Sequence, residues 1–237
     1  MKSALVFGLL FLGATHCAQF RVKNVMGGDI WIGILTSNNL PSLEGGGFVL
    51  GPQQERAINA PDDWEGRFWA RTWCNSGSQH CETGDCGNKV QCNGAGGVPP
   101  ASLAEFNLKA WNDGKDYYDI SLVDGYNVGV KIEPLGGSGD CNVLHCSNNL
   151  NDNCPNELRK YGSGGTIACE SSCNKFDKDE YCCRNEFNDP KICNPNTWAV
   201  NSAKYFKDNC PDAYSYAYDD HSSLKTCMAG TYRITFG

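Results

Sequence analysis

Two runs of alternating apolar and polar residues near the middle of the chain predict a β-hairpin with one solvated face. The apolar members of the runs are Ala104, Phe106, Leu108, Ala110, Tyr118, Ile120 and Leu122. The polar members are Glu105, Asn107, Lys109, Asp119 and Ser121. Because successive strand residues point to opposite faces, each run has one buried and one wet side. Between the runs, Asn112–Lys115 has turn chemistry, since Gly adopts positive φ cheaply and Asn and Asp cap their own turns.

Three acidic residues of this hairpin have two interpretations. Glu105 and Asp119 lie on the predicted polar face, and Asp124 follows at the next turn. They fit an ordinary solvated sheet face, which is the common case, or a set of carboxyl groups that performs acid–base chemistry on a glycosidic bond. Spacing does not decide between the two, because a one-residue slip in register would turn these side chains to the other face.

The same patterns predict further elements along the chain. Strands are expected at Phe20–Val25, Asp29–Ile34, Arg67–Trp73 and Thr231–Gly237. In the third of these, Arg67, Trp69 and Arg71 share a face, and we expect each arginine to be a surface ion-pair partner. Short helices are expected at Ser172–Phe176 and at Thr197–Asp208, where Trp198, Ser202, Tyr205 and Phe206 fall near helical spacing. Residues 74–97 show no sheet face and predict a loop lobe held by disulfides.

The first 17 residues predict a secretory signal peptide. Lys2 precedes an apolar segment, Ala4–Ala14, that is too short to span a bilayer, and small residues Thr15 and Cys17 precede a cleavage site before Ala18. Cleavage would leave 237 − 17 = 220 residues, which we expect to be secreted and extracellular. No other apolar run approaches the ~18 residues of a membrane span. One sandwich with an insertion fits this length as well as two domains do.

The cysteine count supports the same cleavage site. The chain has 15 cysteines, and removal of Cys17 leaves 14, an even number that predicts seven disulfides in a secreted protein. The remaining cysteines are Cys74, Cys81, Cys86, Cys92, Cys141, Cys146, Cys154, Cys169, Cys173, Cys182, Cys183, Cys193, Cys210 and Cys227. Spacing alone leaves their pairing open, except that the neighbours Cys182 and Cys183 should not bond each other. We expect no metal and no cofactor, because the histidines show no ligand spacing.

The charge balance narrows the class of partner. The chain has 20 basic and 27 acidic residues, and loss of Lys2 changes the balance to 19 against 27, or −8. This acidity argues against nucleic acid and anionic membranes as partners, whereas it permits a neutral polysaccharide. A serine hydrolase is not favoured, because the chain lacks a Gly-x-Ser-x-Gly motif.

Five motifs resemble those of the thaumatin-like, pathogenesis-related protein family. They are Cys81–Cys86, Pro99–Phe106, Asp119–Val128, Glu180–Cys183 and Cys210–Tyr216, and the likeness extends from about Phe20 to Phe236. The resemblance implies an all-β fold, in which a flattened antiparallel β-sandwich carries two disulfide-rich lobes and an acidic cleft between them. By this likeness, residues 18–71, 101–147 and 211–237 form the sandwich, residues 72–100 a small lobe, and residues 148–210 a larger lobe with short helices.

The resemblance also implies a disulfide map. The implied pairs are Cys74–Cys81, Cys86–Cys92, Cys141–Cys227, Cys146–Cys210, Cys154–Cys169, Cys173–Cys182 and Cys183–Cys193. Long members of the family have one more disulfide, whose two cysteines would fall near Met26 and at Gly237. Loss of both together leaves no orphan thiol and predicts looser chain ends.

The family's acidic cleft consists of one arginine and four acidic residues. By motif position these are Arg67, Glu105, Asp119, Asp124 and Asp219. Our hypothesis makes Glu105 the proton donor and Asp124 its carboxylate partner, while Arg67, Asp119 and Asp219 bind substrate. Clustered carboxylates repel each other, which raises at least one pKa and suits a general acid. Tyr126, Tyr214, Tyr216 and Tyr218 are candidates for stacking on sugar rings, although packing is the more common role of such residues.

The resemblance leaves three functions open. The first is a secreted antifungal-type defence protein with weak endo-β-1,3-glucanase activity, and the second is a monomeric protein of the same kind that binds β-1,3-glucan without cleaving it. The third is a protease or amylase inhibitor. An intact acidic set favours the first two over the third and does not separate them, because binding and catalysis use the same polar groups.

Overall fold

The computed structural model describes residues 17–111 and 113–237. The predicted signal peptide lies outside these ranges except for Cys17, and so does Asn112 of the predicted hairpin turn. The strands are β1 (Cys17–Asn24), β2 (Ile30–Thr36), β3 (Gly47–Leu50), β4 (Glu55–Pro61), β5 (Glu65–Asn75), β6 (His80–Thr83), β7 (Leu103–Ala110), β8 (Lys115–Ser121), β9 (Val130–Pro134), β10 (Leu144–Cys146), β11 (Arg159–Gly162), β12 (Gly165–Cys169), β13 (Lys225–Cys227) and β14 (Thr231–Phe236).

The helices of the described ranges are short. They are α1 (Ser172–Phe176), α2 (Asp179–Cys182), α3 (Ser202–Asn209) and α4 (Asp220–Ser223), together with 3₁₀ turns at Leu43–Gly46, Asn156–Leu158, Asn185–Phe187 and Pro195–Thr197. None of them has the length and apolar character required to cross a bilayer.

Most strands belong to two sheets that form a sandwich. One sheet has the order β10-β9-β14-β1-β4, and the other has the order β13-β8-β7-β5-β2-β3 with β6 paired to the far end of β5. The hairpin β11–β12 stands apart as a third, two-stranded sheet. The pair β1–β14 is parallel, whereas the other named strand pairs are antiparallel. The expected all-β sandwich is therefore confirmed.

An aromatic core joins the facing sheets. Phe20 of β1 has its ring centroid 4.8 Å from those of both Phe68 on β5 and Phe106 on β7. Tyr232 of β14 lies 5.3 Å from Phe106 and 5.4 Å from Tyr118 on β8. Each ring that leaves water on folding contributes roughly 2–3 kcal/mol. The apolar residues of the alternating runs are therefore buried in this core, and the polar residues between them face outwards.

Seven disulfides connect the loops and lobes, and they are the same pairs that the resemblance implies. They join Cys74 to Cys81, Cys86 to Cys92, Cys141 to Cys227, Cys146 to Cys210, Cys154 to Cys169, Cys173 to Cys182 and Cys183 to Cys193. At the C terminus, Gly237 N donates to Gly129 O at 2.9 Å and Val25 N donates to Phe236 O at 3.0 Å. The looser ends expected from the missing disulfide remain a prediction.

The segment 74–97 differs from the expected loop lobe at its start. Here β6 pairs with the end of β5, with Cys74 opposite Cys81, because a disulfide holds the two strands together. The rest of the segment covers the sheet around Trp69, which packs in a cluster with Cys86, Cys92 and Leu103. Arg71 is wholly buried under the same cover. The prediction that Arg71 is a surface ion-pair partner is therefore wrong.

Of the two predicted helices, one has the expected bounds. The helix Ser172–Phe176 is confirmed as α1, whereas α3 begins at Ser202 and not at Thr197. The Asn201 side chain caps α3 by accepting a hydrogen bond from Lys204 N at 2.8 Å. Trp198 lies before the cap and packs edge-to-face against Tyr181 and Tyr216. Its helical spacing was therefore misleading, because tertiary packing and not helix geometry places its ring.

Candidate functional site

The register of three neighbouring strands brings three of the five candidate residues into one row. Arg67 on β5 lies opposite Glu105 on β7, which lies opposite Asp119 on β8. Directly opposed residues have Cβ atoms about 4.5–5.5 Å apart, so these side chains are close neighbours. All three are half-buried on the sheet face that points away from the aromatic core. We call Arg67, Glu105 and Asp119 the acid row.

The ion pair within the acid row is loose. Arg67 Nη1 lies 3.8 Å from Glu105 Oε1, and about a third of each side chain is exposed, 31% and 34%. That distance is too long for a direct hydrogen bond, and partly exposed pairs contribute only about 0–1 kcal/mol. In the described part of the chain, Arg67 forms no other ion pair. Its guanidinium fork therefore has donors available for a ligand.

Burial makes the Glu105 carboxyl group harder to ionise. Desolvation raises the pKa of Glu105, the positive charge of Arg67 opposes that rise, and the charge of Asp124 adds to it. Burial likewise raises the pKa of Asp124, again against the charge of Arg67. Glu105 therefore keeps its proton to a higher pH than an ordinary glutamic acid, which is the condition that a general acid requires.

Asp119 is the most perturbed member of the acid row. Burial raises the pKa of Asp119 well above its ordinary value, and the charges of Glu105 and Asp220 raise it further. Its Oδ1 atom is buried and has no hydrogen-bond partner among the residues that the structure describes. A buried polar atom without a partner is costly in a folded protein and often marks a functional position. Asp119 therefore has an acceptor or donor to offer to a ligand.

Asp219 lies apart from the acid row and has partners of its own. Its Oδ2 accepts hydrogen bonds from Ser215 N at 3.0 Å and Ser215 Oγ at 2.8 Å, and it lies 2.6 Å from Lys207 Nζ. Its Oδ1 accepts a hydrogen bond from Ser222 Oγ at 3.1 Å. Both carboxylate oxygens are thus engaged, by the loop that precedes α4, by α4 itself and by Lys207 of α3.

Asp220, which was not among the site residues expected from the sequence, is the neighbour that affects the pKa of Asp119 in the acid row. It accepts a hydrogen bond from the Tyr214 hydroxyl at 2.9 Å, and its charge raises the pKa of Asp119. The only signal in the sequence was the doubled acid Asp219-Asp220 at the family position. Asp219 precedes α4 and Asp220 begins it, and two adjacent residues show no periodicity, so pattern alone could not tell which one approaches the sheet.

Of the four tyrosines considered for sugar stacking, Tyr126 is unsuitable. It is 2% exposed, and its hydroxyl donates to Asn148 O at 2.9 Å, so it has the packing role that was expected to be the more common one. Tyr214, Tyr216 and Tyr218 are half-buried. Tyr216 packs edge-to-face on Trp198, and Tyr218 donates to Asn188 Oδ1 at 2.7 Å. The Tyr214 backbone pairs with the end of β8 at Ser121, whereas Tyr216 and Tyr218 lie in the loop that follows.

A groove of about 250 Å³ on the outer face of the sheet is lined by two members of the acid row, whereas Arg67 and Asp124 do not belong to its lining. Besides Glu105 and Asp119, its lining includes Glu65, Asn107, Trp111 and Tyr117. These four are not among the site residues expected from the sequence. For Asn107 and Tyr117 the alternation was a signal, because Asn107 lies two residues after Glu105 and Tyr117 lies two residues before Asp119 on the same sheet face.

Comparisons with known proteins agree with the fold and name related proteins. The model of the Thaumatin family matches residues 24–237 of this chain. Pathogenesis-related protein 5 of Arabidopsis thaliana is 47% identical over 226 residues, which cover 94% of this chain and 91% of that protein. A glucan endo-1,3-beta-glucosidase of Prunus avium is 45% identical over 239 residues, which cover 98% of this chain and 96% of that protein.

Among solved structures, a β-1,3-glucanase domain of Clostridium beijerinckii has a similar fold. Its TM-score is 0.57, and the match covers 94% of this chain and 98% of that domain. The two sequences are only 11% identical, so this likeness concerns the fold alone.

Proposed function

We propose for this chain, which belongs to the thaumatin family, that its groove binds β-1,3-glucan and that Glu105 gives it a weak endo-β-1,3-glucanase activity. The observation that carries this proposal is the acid row. In it a glutamic acid whose pKa is raised lies between a half-exposed arginine and a second carboxyl group. Glycoside hydrolysis needs one carboxyl group that holds a proton and a second that is ionised. We assign these roles to Glu105 and Asp124, because the pKa of Asp119 is raised well above its ordinary value.

In the proposed reaction, Glu105 donates its proton to the glycosidic oxygen as the bond from that oxygen to the anomeric carbon breaks. Asp124 in its ionised form stabilises the positive charge that develops on the sugar ring and activates the water that attacks the anomeric carbon. Water supplies one hydroxyl group to the new reducing end, and its remaining proton returns the carboxyl pair to the starting state. Burial raises the pKa of Asp124, and the positive charge of Arg67 opposes that rise and so favours the ionised form.

The remaining members of the candidate set hold the substrate or the loop. We propose that Arg67 and Asp119 form hydrogen bonds with sugar hydroxyl groups, because Arg67 has unused donors and Asp119 has a buried oxygen without a partner in the described chain. Asp219 was expected to bind substrate as well. Because its oxygens already accept hydrogen bonds from Ser215 and Ser222, we propose that it instead fixes the loop that carries Tyr214.

The setting that we propose is extracellular defence. The relatives include a protein named as pathogenesis-related and a protein named as a glucan endo-1,3-beta-glucosidase. A predicted signal peptide and seven disulfides fit secretion into an oxidising compartment. The net charge of −7 is compatible with an uncharged cell-wall polysaccharide.

Binding without turnover is the second candidate function, and one observation favours it. The groove beside Glu105 has a volume of only about 250 Å³ and lies open on the sheet face. Efficient active sites exclude water, because water weakens every electrostatic interaction at the reacting bond. An open groove is thus better suited to holding a polymer than to cleaving it quickly.

The test compares the wild type with Glu105→Gln on two substrates. Release of reducing sugar from a soluble β-1,3-glucan measures cleavage, and co-sedimentation with insoluble β-1,3-glucan measures binding. We expect release to fall by about 10²–10⁴-fold in the variant while binding persists, because the amide retains the shape and loses the proton. Glu157→Gln, at an exposed position outside the groove, is the matched control.

Two results would revise the proposal. Binding without release in the wild type would remove the enzymatic part and leave a glucan-binding protein. Absence of both binding and release would contradict the proposed function as a whole.

A further inference from the structure

We propose that Trp111 and Tyr117 form a second carbohydrate subsite, on which a sugar ring of a bound glucan chain stacks. This aromatic platform lies at the end of the groove that begins at the acid row. The inference rests on the proposed glucan binding and deepens it, because it makes the ligand a chain of several sugar residues that is held at two places.

The two rings are presented to solvent as a pair. Trp111 is 68% exposed, the largest value among the exposed large hydrophobic residues of the described chain. Its ring centroid lies 4.2 Å from that of Tyr117, with an interplanar angle of 73°. An indole that packs edge-to-face on one neighbour leaves a broad apolar face in water. A role in core packing therefore does not account for Trp111. Aromatic rings of this kind are the common anchors of binding surfaces.

The local backbone brings Trp111 to this place. The register of β7 and β8 shifts between Asn107 and Ala110, and Lys109 and Trp111 adopt left-handed φ values of 49° and 52°. Asp116 Oδ1 stabilises the shift by accepting a hydrogen bond from Lys109 N at 3.1 Å. Left-handed backbone at a residue with a Cβ costs roughly 1–2 kcal/mol. The chain therefore retains a strained turn that brings the indole beside β8.

The Tyr117 ring is held in place as well. Its hydroxyl donates to Asp113 Oδ2 at 2.7 Å, and the same carboxylate accepts a hydrogen bond from Lys115 N through Oδ1 at 3.0 Å. A ring that is fixed before the ligand arrives loses little side-chain entropy on binding. The platform is thus preorganised at both of its members.

Polar side chains connect the platform with the acid row. Glu65, Asn107 and Tyr117 lie opposite one another on β5, β7 and β8, which makes them the next row on the same sheet face. Two residues along a strand span about 7 Å, so the two rows are close enough for one short oligosaccharide to cross both. A chain that follows β7 from Glu105 would meet the amide of Asn107, with the Glu65 carboxyl group on one side and the Tyr117 ring on the other.

This sequence of groups suits a neutral glucan. A pyranose ring presents hydroxyl groups at its edge and C–H bonds at its faces. Carboxylate and amide side chains bind the hydroxyl groups, while the electron-rich face of an indole attracts the C–H bonds. The acidic lining of Glu65, Glu105 and Asp119 disfavours anionic ligands by repulsion.

The test uses the ¹⁵N-labelled full-length protein and two β-1,3-linked glucose oligomers, a dimer and a hexamer. The indole N–H signal of Trp111, assigned by its loss in Trp111→Ala, is expected to shift with the hexamer. We expect Trp111→Ala to raise the Kd of the hexamer roughly tenfold, the effect of a binding anchor, and to change the Kd of the dimer less than twofold. Tyr161→Ala is the matched control, because Tyr161 is 66% exposed and lies outside this groove.

The outcomes separate the two proposals. If the wild type binds the hexamer and Trp111→Ala binds it equally well, the platform is overturned while the proposed glucan binding stands. If the wild type binds neither oligomer, the proposed function fails and the platform fails with it. A shift of the Trp111 signal by a tetralysine peptide but not by the hexamer would also overturn the platform, because the surface would then recognise a cationic peptide.

Discussion

Two arginines on the same face of β5, four residues apart, have opposite surroundings. Arg71 is 0% exposed, whereas a third of the Arg67 side chain, 31%, is in contact with solvent. Among the residues that the structure describes, Arg67 forms an ion pair with Glu105 alone, at 3.8 Å. Two regions of one strand thus use the same residue type differently, one for structure and the other at the candidate binding site.

Arg71 is saturated with backbone acceptors. Its Nε donates to Trp31 O at 3.2 Å, and its Nη1 donates to Lys89 O at 2.7 Å. Its Nη2 donates to Ile32 O at 2.9 Å and Val90 O at 2.6 Å. Burial lowers the pKa of Arg71 to about 10, against the charge of Asp85, so the guanidinium remains charged at neutral pH.

The cause of the difference lies far away in sequence. The loop that contains Lys89 and Val90, closed by the disulfide Cys86–Cys92, covers the Arg71 end of β5 and leaves the Arg67 end open. A buried charge is stable only when its donors are satisfied, whereas an exposed charge keeps donors for a ligand. Residue type and sheet face are the same for both arginines. What separates the structural arginine from the one at the candidate binding site is whether its guanidinium donors already have acceptors in the protein.

The largest expected effect is that of Arg71→Met. The substitution leaves several backbone carbonyl groups buried without their donors, so we expect the free energy of unfolding to fall by about 3–5 kcal/mol. Arg67→Met is the matched control and should change it by less than about 1 kcal/mol. Thermal unfolding followed by circular dichroism measures both. Equal losses from the two substitutions would contradict the comparison.

Arg67→Met should instead alter the chemistry of the groove. Loss of a charge-assisted hydrogen bond should weaken glucan binding about tenfold. Because Arg67 lowers the pKa of Glu105 and of Asp124, its removal should raise both pKa values. Both limbs of the profile of kcat/KM against pH are therefore expected to move to higher pH. Arg67→Lys, which retains the charge, should keep the limbs near their wild-type positions, and an unmoved profile in Arg67→Met would refute this role.

Asp119→Asn is expected to stabilise the protein at neutral pH. The raised pKa means that folded Asp119 holds a proton that the unfolded chain has released, so wild-type stability falls as pH rises from about 3.9 through the folded-state pKa. Asparagine has no proton to lose. We expect Tm to rise by roughly 2–4 °C at neutral pH, equivalent to about 1 kcal/mol, and the gain to vanish below the ordinary aspartate pKa.

A control of opposite sign is available at Asp113. Hydrogen bonds from Lys115 N and from the Tyr117 hydroxyl lower its pKa, so its contribution to stability is present at neutral pH and is lost as pH falls. Asp113→Asn should therefore lower Tm at neutral pH and have no effect in strong acid. A gain of stability in both variants, or in neither, would count against the assignment for Asp119.

The smallest effect is expected from Asp220→Asn. Its charge raises the pKa of Asp119, so the substitution should lower that pKa while changing stability by less than about 0.5 kcal/mol. The ¹³C resonance of the Asp119 carboxyl group, followed by NMR as a function of pH, measures the change. Asp219→Asn should instead lower Tm, because it weakens the contacts with Lys207 and Ser215. It should leave the pKa of Asp119 unchanged.

The strand patterns of the sequence predicted much of the site. The alternation around Glu105 and Asp119 identified the hairpin and its polar face, because a period of two depends only on neighbouring residues and on the need to bury one face. The same hairpin gave Asp124 at the turn that follows, and the resemblance then added Arg67 and Asp219. The structure places Arg67, Glu105 and Asp119 in one row through the register of β5, β7 and β8.

The tertiary structure alone decided which polar groups are already occupied. Nothing in the pattern distinguished Arg71 from Arg67, because the loop that saturates Arg71 approaches from elsewhere in the fold. Nor did the pattern distinguish Asp219 from Asp220, because it does not show that Asp219 is bound by Ser215, Ser222 and Lys207 of α3. The exposed Trp111 depends on a register shift that no alternation predicts. A local sequence pattern thus determines which way a side chain points, while burial and hydrogen bonding depend on contacts between segments that are distant in the chain.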